Sequence, residues 1–146
     1  MDKPWNTNYD GGHPGGIQMT DRRKTINAVD DNNTTLVACK KILRPFYEVY
    51  PATSASRMFK LMEHIKPDLI LLDVDMPDIN GYEAAGMLKE EAAFREIPVI
   101  FLTARNDPVS EKIGLNLGAA DYISKPVNSD QLIERIGKLL SLPAGI

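Results

Sequence analysis

Several polar and charged side chains stand directly after apolar segments, where a chemical site could form. In "PDLILLDVDMP" the apolar run 69–72 leads straight into Asp73, and Asp75 follows two residues later. An isolated buried carboxylate is costly, so these groups must be solvated, paired or bound to a cation. Other apolar segments are also followed by groups that could take part, namely Asp30 and Asp31, Thr103 and Lys125.

The chemistry open to these residue types is phosphoryl transfer assisted by a divalent cation. Neighbouring carboxylates raise one another's pKa unless a cation lies between them. Mg²⁺ binds one or two carboxylates together with water and phosphate oxygen. A carboxylate can also act as a nucleophile and form an aspartyl phosphate. A lysine and a hydroxyl group would then neutralise the charge on the phosphoryl oxygens.

Strand-like and helix-like segments alternate from Lys24 onward, and they would position these groups. The strand candidates are "TINAV" (25–29), "YEVY" (47–50), "LILL" (69–72), "VIFLT" (99–103) and "YIS" (122–124). Unbroken apolar runs favour strands that are covered on both faces, as in a parallel sheet. The first two helices are predicted within 36–43 and 55–65. Helix-start signals follow later, at Asn80 with Glu83, Asp107 before Pro108, and Asn128 with Gln131.

Five β–α units in about 120 residues predict one α/β domain with a doubly wound five-stranded parallel sheet and helices on both faces. Ligands bind such sheets outside the carboxyl ends of the strands. The carboxylates, the hydroxyl and the ammonium should therefore meet at one edge of the sheet.

Composition and charge exclude several other classes of protein. The 146 residues carry a net charge of −3 and contain no basic run, which argues against direct nucleic-acid binding. No stretch approaches the ~18 apolar residues of a membrane span, and the N-terminus lacks the apolar core of a secretory signal. The single cysteine, Cys39, cannot form an internal disulfide. A cytoplasmic protein without a membrane segment is the resulting expectation.

Four motifs, in order, resemble the receiver domain of two-component response regulators over residues 24–142. They are "VDDN" (29–32), "LLDVDMP" (71–77) with "NGYE" (80–83), "IFLTA" (100–104) and "GAADYISKP" (118–126). The resemblance implies a flavodoxin-like sheet of strand order 2-1-3-4-5. Residues 1–23 are then interpreted as a flexible N-terminal extension or leader, and residues 143–146 as a C-terminal tail.

The resemblance also implies roles for the site residues. Asp73 would be the phosphoacceptor, taking its phosphoryl group from a histidine kinase or a phosphotransfer protein. Asp30 and Asp31 would hold Mg²⁺ together with Asp73 and the backbone carbonyl of Asp75. Lys125 would pair with the phosphoryl group, and its bond to the following proline is expected to be cis.

A conformational switch is implied as well. Thr103 would move to hydrogen-bond the phosphoryl group, and Tyr122 would rotate into the space that it leaves. This shift would reshape the surface of the fourth helix, fifth strand and fifth helix for a downstream effector domain or protein, or for a phosphorylation-dependent homodimer. We further predict that Asp75 and Arg105 face each other across the pocket mouth and hinder the water that would hydrolyse the phosphoryl group.

Two alternatives remain open from the residues alone. The Asp73/Asp75 pair is similar to the nucleophile and general acid of haloacid-dehalogenase-type phosphohydrolases, although Met76 and Pro77 follow it here. A receiver-shaped docking module that is never phosphorylated is the other alternative. The favoured prediction is a signalling domain, and not an enzyme beyond its own phosphorylation and dephosphorylation.

Overall fold

The computed structural model describes residues 23–105 and 107–140, in which five strands alternate with five helices. The strands are β1 (Thr25–Val29), β2 (Glu48–Ala52), β3 (Leu69–Asp73), β4 (Val99–Thr103) and β5 (Asp121–Ser124). The helices are α1 (Asn33–Leu43), α2 (Ala55–Leu61), α3 (Gly81–Glu90), α4 (Pro108–Asn116) and α5 (Ser129–Leu140).

All four strand pairings are parallel, and the strand order is β2-β1-β3-β4-β5. The predicted doubly wound fold and its strand order are therefore confirmed. Asp73 pairs in register with Leu102, and Thr103 pairs with Ser124. This register brings the ends of β3, β4 and β5 to one edge of the sheet.

Hydrophobic cores cover both faces of the sheet. Side chains alternate along β3, so that Leu69 and Leu71 join one core and Ile70 and Leu72 the other. The first core is closed by α1 and α5, and the second by α2 and α3. Every residue of β3 is buried, which explains why its sequence is an unbroken apolar run.

Local signals placed the starts of the last three helices correctly. Asn80 and Glu83 form a reciprocal capping box at the start of α3. The side chain of Asp107 accepts a hydrogen bond from Ser110 N and caps α4. Asn128 accepts from Gln131 N in the first turn of α5. These caps satisfy backbone N–H groups that have no partner inside the helix.

Several boundaries differ from the predicted ones by one to four residues; helix α1, for example, begins at Asn33 and not at 36. Strand β2 continues through Pro51, because Glu48 N donates to Lys24 O and Ala52 O accepts from Asp30 N. Alternate residues point to alternate sides, so the position of the missing N–H of Pro51 faces the free edge of the sheet. Helix α2 ends at Leu61 and not at 65, since the next turn tightens and His64 N donates to Leu61 O.

The predicted leader (1–23) falls outside the described residues except for Arg23, and the tail (143–146) lies outside them entirely. The domain boundary near 142 therefore stays a prediction. Among the helices of the described residues, none combines the length and the apolar character that crossing a membrane requires.

Candidate functional site

Asp30, Asp73 and Lys125 converge at the carboxyl edge of the sheet. Asp30 follows β1, Asp73 ends β3, and both carboxylates are buried. The Lys125 ammonium lies 2.7 Å from Asp30 Oδ2 and donates to Asp73 Oδ1 over 3.1 Å. The peptide bond between Lys125 and Pro126 is cis, as predicted. One ammonium therefore bridges two buried carboxylates from two adjacent strands.

The same edge offers a set of oxygen donors that fits a divalent cation. One carboxylate oxygen from each of Asp30, Asp31 and Asp73 lies within 4.8 Å of the other two. Asp30 Oδ1 accepts from Asn32 N at 2.9 Å, whereas Asp30 Oδ2 is buried and has no well-directed hydrogen bond despite the nearby ammonium. Free carboxylate lone pairs at this spacing suit a hard cation such as Mg²⁺. The three predicted carboxylates are therefore brought together.

The electrostatics of the cluster are unbalanced. Burial raises the pKa of Asp73 to about 7, and the nearby charge of Asp30 adds to this effect while Lys125 opposes it. Burial opposes the charge of Lys125, yet its close contacts with the carboxylates of Asp30 and Asp73 raise the pKa of Lys125 above its ordinary value. A single ammonium cannot neutralise three carboxylates, so the cluster favours an added positive charge.

Thr103 lies at the same edge, at the buried end of β4. Its Oγ1 accepts a hydrogen bond from Arg105 N at 2.9 Å. Because the oxygen accepts here, the hydroxyl proton remains able to donate to another acceptor. The predicted switch threonine is thus positioned by its own loop.

The predicted switch tyrosine packs beside a second tyrosine. Tyr122 is half-buried, and its hydroxyl donates to the carbonyl of Arg105 over 3.3 Å. Tyr82 donates to Ser110 O over 3.1 Å and stacks edge-on against Phe101 at 5.1 Å. Burial, and then the neighbouring Tyr122, raise the pKa of Tyr82 to about 12. Sequence analysis overlooked Tyr82, whose only signal is an aromatic residue within the first turn of α3.

Asp75 and Arg105 face each other as predicted. Arg105 Nη2 lies 2.7 Å from Asp75 Oδ1, and Nε donates to both carboxylate oxygens at 3.2 Å. Hydrogen bonding and the charge of Asp75 raise the pKa of Arg105. Both side chains are about half exposed, so this ion pair lies at the solvent side of the site. The role of the Asp75 backbone carbonyl stays a prediction.

Gly81 is a second residue that sequence analysis overlooked. A Cβ atom at this position would lie 2.2 Å from the backbone oxygen of Asp73. Gly81 N also donates to Val74 O at 2.9 Å, which fixes the first turn of α3 against the end of β3. The absence of a side chain at 81 therefore determines where the Asp73 backbone can lie.

The fold and the site together define a class of protein: a doubly wound α/β domain with an acidic pocket at the carboxyl edge of its sheet. A family model described as "Response regulator receiver domain" matches residues 26–137. The chain belongs to this family of two-component signalling domains. Membership favours the receiver prediction over the phosphohydrolase alternative.

Individual relatives agree with this assignment. Protein PilH of Pseudomonas aeruginosa is 32% identical over 117 residues, which cover 80% of this chain and 97% of PilH. The transcriptional regulatory protein AfsQ1 of Streptomyces coelicolor is 35% identical, over 77% of this chain and 49% of AfsQ1. A solved response regulator from Thermotoga maritima superposes with a TM-score of 0.75 at 29% identity, covering 83% of this chain and all of the other. In three longer relatives the chain spans only 25%, 17% and 9% of the protein.

A Gly81→Ala substitution should destabilise the domain by about 1–3 kcal/mol, because the new methyl group forces apart α3 and the Asp73 backbone. Urea unfolding measures this loss. Gly86→Ala in the same helix is the matched control, since a Cβ there meets nothing within 4 Å. The control should be unchanged or more stable by about 0.5–1 kcal/mol. Equal stability of the two variants would contradict the proposed close contact.

Asp73→Asn should stabilise the metal-free protein more at about pH 8 than at about pH 4.5. The pKa of folded Asp73, about 7, lies above its ordinary 3.8, so the folded state binds more protons between these values. The contribution of Asp73 to stability therefore falls as pH rises through that window, and the amide removes this contribution. Urea unfolding of both proteins in EDTA, across the pH range, measures their free energies of unfolding. A difference between the two that is constant with pH would disprove the raised pKa of Asp73.

Proposed function

We propose that this chain is a phosphorylation-dependent signalling domain in which Asp73 receives a phosphoryl group from the phosphohistidine of a histidine kinase or phosphotransfer protein. The observation that supports this most directly is the joint contact of Lys125 with Asp30 and Asp73 at 2.7 and 3.1 Å. In the reaction an Asp73 carboxylate oxygen forms the new P–O bond, and the P–N bond to histidine breaks. The histidine side chain leaves as a neutral imidazole once it has a proton.

Asp30, Asp31 and Asp73 would hold Mg²⁺, with the backbone carbonyl of Asp75 as a further ligand. When bound, the ion supplies positive charge to the phosphoryl oxygens. The fit rests on the three converging carboxylates and on the buried Asp30 oxygen that lacks a directed hydrogen bond. Asp31 is exposed and stands at the solvent side of this set.

Lys125 and Thr103 would stabilise the phosphoryl group through charge and hydrogen bonding. The contact of the Lys125 ammonium with Asp73 supports its pairing with a phosphoryl oxygen after transfer. Thr103 keeps its hydroxyl proton free because its oxygen accepts from Arg105 N. A hydrogen bond from the Thr103 hydroxyl to a phosphoryl oxygen would draw Thr103 toward Asp73.

The signal passes through the α4–β5–α5 face. Tyr122 lies in β5 and bonds to the carbonyl of Arg105, two residues beyond Thr103. A movement of Thr103 therefore reaches the loop that holds the Tyr122 hydroxyl. An effector domain or protein, or a second copy of the chain, would read the resulting surface in the cytoplasm. The output is a change of binding partner, and no substrate is turned over beyond the phosphoryl group itself.

Incubation with acetyl phosphate and Mg²⁺ should give an acid-stable, alkali-labile adduct on Asp73, detected by intact mass and peptide mapping. Asp73→Asn should abolish the adduct, because an amide is not a nucleophile at phosphorus. The exposed Asp78 provides the matched control, and Asp78→Asn should label normally. Labelling of the Asp73 variant, or labelling that persists in EDTA, would refute the proposal. Turnover of many equivalents would instead identify a phosphohydrolase.

Alanine at both Asp75 and Arg105 should shorten the lifetime of the phosphorylated state by a few-fold, which corresponds to less than about 1 kcal/mol in the barrier. The ion pair at the pocket mouth restricts the approach of water, and its removal opens that path. The decay of the adduct, followed by phosphate release, measures the effect.

The Asp121–Arg135 ion pair, 2.6 Å long, supplies a matched control. Asp121 begins β5, so it lies at the edge of the sheet opposite the site. Replacing both of these residues with alanine should leave the decay rate unchanged. Equal lifetimes for the Asp75/Arg105 double variant and the unaltered chain would overturn the hypothesis.

A further inference from the structure

An open apolar groove runs between α1 and α2, over the free edge of β2; we call it the α1–α2 groove. Its volume is about 570 Å³, and its apolar lining comes from Leu36, Val37, Pro51, Ala52 and Leu61. Val37 is 66% exposed at its rim, the second-largest exposure among the exposed large hydrophobic side chains of the described residues. No residue of the acidic cluster lines the groove, although one end of it adjoins the site, where Ala52 O accepts from Asp30 N.

The charged groups around this groove are all of one sign. Lys40 lies on the α1 side, and Arg57 and Lys60 lie on the α2 side. No Asp or Glu lines the groove, although the whole chain carries a net charge of −3. None of the three cations forms an ion pair with a carboxylate of the residues that the structure describes. The groove is therefore complementary to a negatively charged partner.

The backbone of β2, over which the groove runs, argues against a partner that binds as an added β-strand. Strand addition needs a row of free N–H and C=O groups along an edge. Pro51 has no N–H, and its backbone faces the free edge of β2. Within this strand, only Val49 directs an N–H group outward. A peptide that paired with β2 would thus find its hydrogen-bond ladder interrupted.

The helices on either side favour an elongated occupant with side-chain contacts. The lining positions on α1 are spaced as 33, 36, 37 and 40, and those on α2 as 57, 60 and 61. Each set follows one face of a helix, and the α1 set spans two turns, or about 10 Å along the axis. An apolar stripe on a docked helix would lie between them, with its flanking carboxylates near the cations.

We propose that the α1–α2 groove docks an acidic amphipathic helix of a protein partner, with its apolar stripe against Val37 and Leu61 and its carboxylates near Lys40 and Lys60. This interaction is distinct from phosphorylation at Asp73 and from recognition of the α4–β5–α5 face. It gives the domain a second contact surface, at the edge strand β2, whereas β5 is the edge strand at the other end of the sheet.

A direct test uses the ¹⁵N-labelled full chain and two capped synthetic helices of about 15 residues. Both peptides carry leucines at helical spacing, and their polar flanks are glutamates in one and lysines in the other. The glutamate peptide should shift the amide signals of Val37, Lys40, Lys60 and Leu61 in a saturable titration. The lysine peptide should bind at least about tenfold more weakly.

Charge reversal provides the decisive variant. The double variant Lys40→Glu with Lys60→Glu should bind the glutamate peptide about tenfold more weakly than the unaltered chain does. It should bind the lysine peptide more tightly. Lys24→Glu is the single-charge control, because Lys24 is exposed and lies outside both the groove and the α4–β5–α5 face, and it should change neither affinity. Val37→Ser should lower the affinity for both peptides, because it removes apolar contact. Labelling of Asp73 by acetyl phosphate should persist in all of these variants, which separates this test from that of the proposed function.

Several results would overturn the proposal. They are a lack of binding, amide shifts confined to α4, β5 and α5, equal affinity for both peptides, and affinity that survives the double charge reversal. Shifts that depend on the concentration of the protein and not of the peptide would identify a second copy of the chain as the occupant, and would also reject an acidic helix.

Discussion

The contact of one lysine with two buried carboxylates is the constraint on which the site depends. Asp30 and Asp73 come from adjacent strands, whereas Lys125 reaches them from beyond β5, at the far side of β4. These three side chains can be in contact only because the strands are parallel, so that all their carboxyl ends lie at one edge of the sheet. Because the ammonium leaves negative charge in excess, the pocket favours further positive charge, which the proposed phosphoryl transfer to Asp73 requires.

Much of this arrangement was predictable because its signals are local. The strand 99–103 was predicted with its observed bounds, since a both-face-buried strand must be apolar throughout. Asn80 and Asp107 marked helix starts, because each cap needs only a residue three positions later. The pairing of Asp75 with Arg105 was also predicted, because both follow adjacent strands at the same offset.

The remaining features depend on contacts between distant parts of the chain. Tyr82 bonds to Ser110, 28 residues away, and nothing in the sequence around position 82 specifies that partner. The need for glycine at 81 arises from the path of the Asp73 backbone, which appears only once α3 is docked. Strand β2 was predicted to end at Tyr50, but it continues through Pro51 to Ala52. A proline is tolerated in a strand when its missing N–H faces the unpaired side, and that side is known only once the sheet has formed.

Pro51 also affects how copies of the domain can pair when their concentration is high. An unprotected edge strand is a template on which identical chains can polymerise into fibres. The described edge at β2 is short and presents a gap where one amide hydrogen is missing. Copies of this domain can therefore be concentrated side by side without their sheets joining along the β2 edge.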